Sequence, residues 1–299
     1  MSFSRLKTIC RGEIIEHAPL APYTSWRTGG PADYLFRPAD IADLQTILQI
    51  LPSEIPVTWI GLGSNTLIRD GGLAGVVIIT QGIFCQLIQH PEHYLRAEAG
   101  LSCAQLARQS ARLGLSGLEF MAGIPGTVGG ALAMNAGCFG GETWTLVQQV
   151  EVINRQGVRK IQPATAFKIG YRSVERATNE WFLAGYFAVK MGDKNTSLSQ
   201  IRNLLEKRNQ TQPTGSANCG SVFRNPEHDY AGRLIESCGL KEKRIGGAVV
   251  SAKHANFIIN EGQATAADIE HLIHEVQAIV LQKTGVRLLP EVCIMGRSL

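Results

Sequence analysis

The chain lacks the features that would put it in a membrane, outside the cell or on nucleic acid. No apolar run reaches the roughly 20 residues that span a bilayer. The stretch from Met1 to Cys10 has no apolar h-region, so no secretory signal is expected there. Lys and Arg form no dense run and the formal net charge is only +4, so no nucleic-acid partner is expected. Cysteines at 10, 85, 103, 138, 219, 238 and 293 are odd in number, and no two form a C-x-x-C pair. They read as reduced thiols of a cytoplasmic protein, not as a disulfide framework or a zinc site. Also missing are G-x-x-x-x-G-K-S/T, G-x-S-x-G and H-E-x-x-H. These absences argue against a P-loop nucleotidase, a serine hydrolase of that type and a zinc protease. His271 and His274 stand three apart beside Glu275 and read as a solvated helix stripe, so no metal is expected.

What is present is a folded globular chain. Its 299 residues are 44% hydrophobic and 18% charged, enough for two or three domains. Residues 1–26 read as irregular to helical, and Tyr34–Phe36 as a short strand. Asp40 caps a helix whose apolar face is Ile41, Leu44, Ile47, Leu48 and Leu51, with Asp43 in its first turn and Pro52 stopping it. Val57–Ile60 and Gly75–Thr80 read as strands of an α/β unit. A strand at 94–100 leads to a helix with Ser102 and Gln105 as a capping box and Leu101 and Leu106 as a staple, ending at Gly114. Val147–Asn154 and Phe182–Lys190 read as strands. Polar composition at Gly192-Asp193-Lys194 marks a domain boundary. Beyond it come helices at about 198–209 and 229–238, strands at 246–250 and 255–260, and a long helix. Thr265 and Asp268 cap that helix, whose stripe is Ile269, Leu272, Ile273, Val276, Ile279 and Val280. Residues 288–292 read as a final strand. The domain division expected is 1–80, 81–194 and 195–299.

Two glycine-rich stretches stand out. Residues 61–66, Gly-Leu-Gly-Ser-Asn-Thr, follow a strand, but Thr66 occupies the third glycine position of a dinucleotide fingerprint and no long helix follows. Residues 119–142 contain Gly123, Gly126, Gly129, Gly130, Gly137, Gly140 and Gly141. Pro125-Gly126 makes a turn, and the amides leading into a short helix from about Val128 offer an anion site. Taken alone, such a stretch reads more simply as a tight loop between packed elements. Tyr171-Arg172-Ser173, Ser221 and Glu291, each alone, read as surface or turn residues.

In order, however, six motifs resemble one family. They are Thr28-Gly29-Gly30-Pro31-Ala32; Gly61-Leu62-Gly63-Ser64-Asn65; Gly123-Ile124-Pro125-Gly126-Thr127-Val128-Gly129-Gly130 with Asn135-Ala136-Gly137; Gly170-Tyr171-Arg172; Gly220-Ser221-Val222-Phe223-Arg224-Asn225-Pro226; and Pro290-Glu291-Val292. Together they resemble the UDP-N-acetylenolpyruvoylglucosamine reductases, in the shorter form without a tyrosine-bearing loop insertion. The resemblance spans about residues 21–295. It implies an α+β protein whose FAD-binding region is of the vanillyl-alcohol-oxidase (PCMH) type, not a Rossmann fold, with a C-terminal α+β substrate domain.

The resemblance implies FAD as cofactor and NADPH as co-substrate, with the UDP-sugar enolpyruvyl ether as substrate, no membrane partner and a monomeric cytoplasmic enzyme. The FAD pyrophosphate would lie on residues 61–65, and Gly123–Gly130 with Asn135-Ala136-Gly137 would run along the flavin. Arg172, Ser221 and Glu291 match the catalytic trio. Tyr171, Arg224, Asn225 and Lys253 are expected to touch substrate. A guanidinium suits the developing aci-carboxylate charge, a neutral or proton-sharing Glu291 assists it, and Ser221 protonates C2. Arg224 stands where the family commonly has lysine, which keeps the charge and changes its geometry. Cys219 has no explanation at the level of sequence. The alternatives are a flavin oxidase of the same superfamily, or a nucleotide-sugar binding protein without flavin.

Overall fold

The computed structural model describes residues 3–91 and 94–299. Its α-helices are α1 (Phe3–Ile9), α2 (Ile41–Ile50), α3 (Cys103–Arg112), α4 (Val128–Met134), α5 (Lys194–Thr211), α6 (Ala231–Ser237) and α7 (Ala266–Thr284). The chain folds into two compact units of interleaved stretches. The first takes Met1–Glu16, Tyr34–Leu62 and Gly75–Lys207; the second takes His17–Asp33, Gly63–Ala74 and Arg208–Leu299.

In the first unit, strand Val57–Ile60 pairs parallel with Leu73–Ile79, from Val57 opposite Val76 to Ile60 opposite Ile79. Helix α2 buries Leu44, Ile47 and Leu48 in a core that also holds Phe36, Val76, Ile78, Ile153 and Leu183. Asp40 caps α2 as its sequence predicts, accepting the Asp43 N–H at 2.9 Å. Asp43 does more than favour the first turn. It is 2% exposed, and its carboxylate accepts the N–H groups of Arg11, Gly12 and Ala39 at 2.8, 2.8 and 2.9 Å. Two of those partners, Arg11 and Gly12, lie about thirty residues upstream and give no local signal.

A five-stranded sheet follows in the order Arg159–Pro163, Val147–Asn154, Glu180–Ala188, Tyr94–Glu98, Leu87–His90, all antiparallel. Leu95, Ala97, Val150, Val152 and Phe187 meet Leu106 and Ala107 of α3 and Val128, Ala131 and Leu132 of α4 in one core. The N-cap of α3 forms at Ser102, which accepts the Gln105 N–H at 3.2 Å. The box is not reciprocal, because the Gln105 carboxamide oxygen meets the Ser102 hydroxyl at 3.0 Å instead of the backbone amide.

In the second unit, α7 carries the expected reciprocal capping box of Thr265 and Asp268 and ends at Gly285 in the left-handed conformation. Ile269, Leu272, Ile273, Val276 and Val280 are buried, and Ile279 only partly. They share a core with α6 and with the antiparallel strands Arg244–Ile245, Ala248–Val250 and Ile258–Asn260. Trp26 is fully buried there, donating from Nε1 to the Ile258 carbonyl at 2.8 Å.

Several expectations need correction. Residues 13–19 form a strand, not irregular chain, and short strands at 66–68, 87–90 and 159–163 escape the sequence reading. Such runs are too short for a period of two to declare itself. Residues 288–292 are not a strand. Pro290 has no N–H to offer a ladder, and makes only an isolated bridge to Phe223. The strand is Cys293–Met295, paired parallel with Thr66–Ile68. Thr66, at the third glycine position of the dinucleotide pattern, thus opens a strand and not a helix, which excludes the Rossmann turn.

Candidate active site

The first unit brings two glycine stretches together. Gly61 ends the strand Val57–Ile60, and a Cβ there would lie 2.5 Å from Thr127 Oγ1. Thr127 is the N-cap of α4 and accepts the Gly130 N–H at 3.3 Å. The next amides are occupied too: Val128 donates to the Leu101 carbonyl at 2.8 Å and Gly129 to the Ala99 carbonyl at 2.9 Å. The anion cradle expected at the start of this helix therefore does not lie on the amides of Val128, Gly129 and Gly130. The glycines there serve the protein's own packing. A Cβ on Gly129 would stand 2.8 Å from Ala99 Cβ, and one on Gly123 would stand 2.5 Å from the Phe139 ring. Pro125 is exposed, whereas Ile124 and Gly126 are buried.

The C-terminus of α4 is built around Asn135, buried and left-handed at φ 48°. Asn135 Oδ1 accepts the Trp144 N–H at 3.1 Å. Its Nδ2 donates to Glu142 at 2.9 Å and to the Gly170 carbonyl at 3.1 Å. The last contact holds the hairpin of Lys168–Gly170 and Ser173–Glu175. Its turn is Tyr171-Arg172, with Arg172 at φ 52°. The Arg172 guanidinium donates to the Gly137 carbonyl at 2.9 Å and the Asn135 carbonyl at 3.4 Å, and lies 5.0 Å from the Tyr171 ring centre. Carbonyls at a helix C-terminus suit a cation. Ala136, buried between them, accepts from the Thr143 hydroxyl at 2.6 Å. Asn135, Ala136, Gly137, Tyr171 and Arg172 thus form one cluster.

The second unit holds a second cluster. Gly63 is left-handed at φ 56°, and a Cβ there would lie 2.1 Å from the Tyr23 carbonyl oxygen, so only glycine fits. Ser64 is half-buried beside it. Asn65 donates from Nδ2 to the Glu291 carbonyl at 2.9 Å, and its own carbonyl accepts the Cys293 N–H at 2.9 Å. Ser221 precedes Val222, whose carbonyl accepts the Glu291 N–H at 2.8 Å. Ser221, Glu291 and the Gly63–Asn65 turn therefore sit on hydrogen-bonded neighbouring segments. Of the expected substrate contacts, Arg224 is half-buried and its N–H donates to the Leu289 carbonyl at 2.9 Å. Asn225 Oδ1 accepts the Ala231 N–H at the start of α6 at 3.1 Å. The exposed Lys253 donates to the Asn209 carbonyl at 2.5 Å.

The structure also accounts for Cys219. Its buried thiol donates to the Gly63 and Thr66 carbonyls at 3.6 and 3.5 Å, tying the serine segment to the glycine turn. Burial pushes that thiol up to about 12, against weaker opposing contacts to Thr66 and Trp26. Asn218 shapes the turn, its Oδ1 accepting the Gly220 N–H at 2.9 Å. Asn256, expected in a strand at 255–260 that begins only at Ile258, holds the far side of the serine segment. An Asn two residues before a glycine was the available signal for Asn218; Asn256 gave none.

Residues 32–161 match the FAD binding domain model, and residues 212–295 match UDP-N-acetylenolpyruvoylglucosamine reductase, C-terminal domain. The first unit can accept part of such a cofactor. A cavity of about 470 Å³ is lined by Leu62, Gln81, Gly82, Gly100, Ser102 and Thr127, so two of the expected cofactor residues open onto it. That volume lies in the usual range for ligand sites. The matched models thus define an FAD-dependent oxidoreductase. A UDP-N-acetylenolpyruvoylglucosamine reductase of Legionella pneumophila (strain Corby) is 54% identical over 290 residues, covering 97% of this chain and 94% of the relative. One from Coxiella burnetii (strain Dugway 5J108-111) is 52% identical over 316 residues, covering 99% of each. The crystal structure of UDP-N-acetylenolpyruvylglucosamine reductase from Thermus caldophilus superposes with a TM-score of 0.81 at 32% identity, covering 95% of this chain and 98% of that one. The chain belongs to the UDP-N-acetylenolpyruvoylglucosamine reductase family. Among the described residues no helix is long and apolar enough to cross a membrane.

Proposed function

We propose that the chain reduces the enolpyruvyl ether of UDP-N-acetylglucosamine to UDP-N-acetylmuramate in peptidoglycan precursor synthesis, with NADPH as reductant. When bound, FAD supplies the hydride that reaches C3 of the enolpyruvyl group. Residues 61–65, 123–127, Gly129, Gly130 and 135–137 are proposed to hold it. Arg172 pairs with the substrate carboxylate and stabilises the charge that spreads into it. Glu291, neutral or sharing a proton, supports the same charge. Ser221 gives its proton to C2 and is then reprotonated through hydrogen-bonded neighbours. Tyr171, Arg224, Asn225 and Lys253 contact the rest of the substrate.

The observation that supports this reading best is the 2.8 Å main-chain bond from the Glu291 N–H to the Val222 carbonyl, which joins the segments that carry Ser221 and Glu291. The enzyme is proposed to act as a cytoplasmic monomer, which suits seven cysteines that form no disulfide. The test is rapid mixing in two halves. Ser221→Ala should leave reduction of bound flavin by NADPH intact and block its reoxidation by the enolpyruvyl ether. Equal failure of both halves would refute the role of Ser221. A yellow native protein that never turns over this substrate would refute the function.

A further inference from the structure

Val222 and Phe223, the two residues after Ser221, are buried outside any continuous ladder. Their backbone groups must still be paired. On one side the partners are Glu291 to the Val222 carbonyl, at 2.8 Å, and the Leu289 carbonyl to the Arg224 N–H, at 2.9 Å. On the other side a single residue, Asn256, supplies three bonds. Its carbonyl accepts the Val222 N–H at 2.9 Å. Its Oδ1 accepts the Phe223 N–H at 3.0 Å, and its Nδ2 donates to the Phe223 carbonyl at 2.8 Å. The carboxamide copies, within one side chain, the double exchange of an antiparallel pair. Asn256 is 3% exposed, so water cannot replace these bonds.

Asn256 is held in turn by His254. The Asn256 N–H donates to His254 Nδ1 at 3.2 Å. A backbone amide can only donate, so Nδ1 carries no proton and the ring is neutral. The ring stands edge-on to Phe257 at 4.8 Å, and a Cβ on Gly232 of α6 would come within 3.1 Å of its Cε1. The charged groups around it are Lys241 and Glu236, paired with each other at 2.5 Å, and Lys253, whose ammonium is on the Asn209 carbonyl. Burial disfavours the imidazolium most; a hydrogen bond to the residue's own backbone opposes this, Lys241 adds to it and Glu236 opposes it. Protonation at Nδ1 removes the acceptor and sets a donor against a donor.

We propose that Asn256, kept in place by neutral His254, is the positioning residue that sets Ser221 against Glu291. The proposal rests on the role given above to Ser221. Its consequence for pH follows from the sign of the His254 shift. The folded value lies below the ordinary 6.5, so the clamp is fully present above 6.5 and is lost as pH falls below it through the folded value.

The test uses flavin-loaded enzyme, with NADPH and the enolpyruvyl ether in separate half-reactions. Asn256→Ala should slow the second half about a hundredfold, the scale of a misplacement near 1 Å, and leave flavin reduction unchanged. Amide exchange at Val222 and Phe223 should rise about tenfold in the same variant. Asn256→Asp keeps the acceptor for the Phe223 N–H but loses the donor; it carries the same reading if the alanine variant does not fold. His254→Asn retains an acceptor and cannot titrate, so the fall in second-half rate as pH is lowered from 6.5 through the folded value should shrink. Native exchange at both amides overturns the clamp. Raised exchange with an unimpaired second half overturns its bearing on Ser221. An unchanged acid fall in His254→Asn overturns the part given to His254. A Ser221→Ala enzyme that keeps its second half is a separate failure, of the function proposed for Ser221.

Discussion

Replacing Gly61 by alanine tests how the two glycine stretches are joined. The added methyl would lie 2.5 Å from Thr127 Oγ1, 3.2 Å from its Cγ2 and 3.4 Å from its Cβ. Thr127 is 2% exposed and β-branched, so it cannot swing away without leaving the Gly130 N–H it caps. Overpacking costs about 1–3 kcal/mol and a lost cap about 0.5–2 kcal/mol, together about 1.5–5 kcal/mol. For a unit of this size that lowers the melting temperature by roughly 3–20 °C. The assay is a double-mutant cycle by urea unfolding with Gly61→Ala, Thr127→Ala and the pair. Thr127→Ala removes Oγ1 and Cγ2 and leaves only the ordinary 3.4 Å contact. Gly61→Ala should then cost about 1–3 kcal/mol less than in the native background. Flavin retention should fall with Gly61→Ala, since α4 starts within the proposed cofactor stretch. Additivity to within about 0.5 kcal/mol would refute the reasoning.

Three further outcomes are expected. Asn135→Ala places a Cβ-bearing residue without a local hydrogen bond at φ 48° and strands the buried Trp144 N–H, so urea unfolding should show a loss of about 3–4 kcal/mol; a loss below about 1 kcal/mol would contradict the described role. Burial raises the Glu151 carboxyl, but bonds from Arg96, Tyr186 and Arg159 outweigh it and hold the group at about 2. Its stabilisation is present above the ordinary 4.5 and lost as pH falls through about 2, so urea midpoints should drop across that window, and less steeply in Glu151→Gln. Iodoacetamide on the native protein should modify exposed Cys85 well before Cys103 and Cys219, whose buried thiols are both pushed up to about 12; mass spectrometry showing equal rates would contradict that burial.

Local chemistry was legible wherever a few adjacent residues carry it. The caps at Asp40, Ser102 and Thr265, the stop at Gly285 and the buried stripe of α7 follow from residues three or four apart. Long strands such as Val147–Asn154 also declared themselves. The short strands at 66–68 and 293–295 did not, because each exists only through the other. Pro290-Glu291-Val292 looked like a strand by composition, yet Pro290 bars the ladder and the residues pair singly with the serine segment. The ordered motifs carried the family, but nothing in them showed that Gly61, Gly123 and Gly129 also answer to Thr127, Phe139 and Ala99.

By itself the amino-acid order determined which segments become helices, which glycines and polar residues are exceptional, and hence the family to which they belong. Those are properties of neighbours along the backbone. Only the tertiary structure decided that Asp43 would serve three amides, that Cys219 would fasten one loop to another, and that Asn256 would stand in for a missing strand. Each is a buried polar group, and its partner is selected by the need to satisfy hydrogen bonds away from water, a requirement that arises only once distant parts of the chain have closed around it.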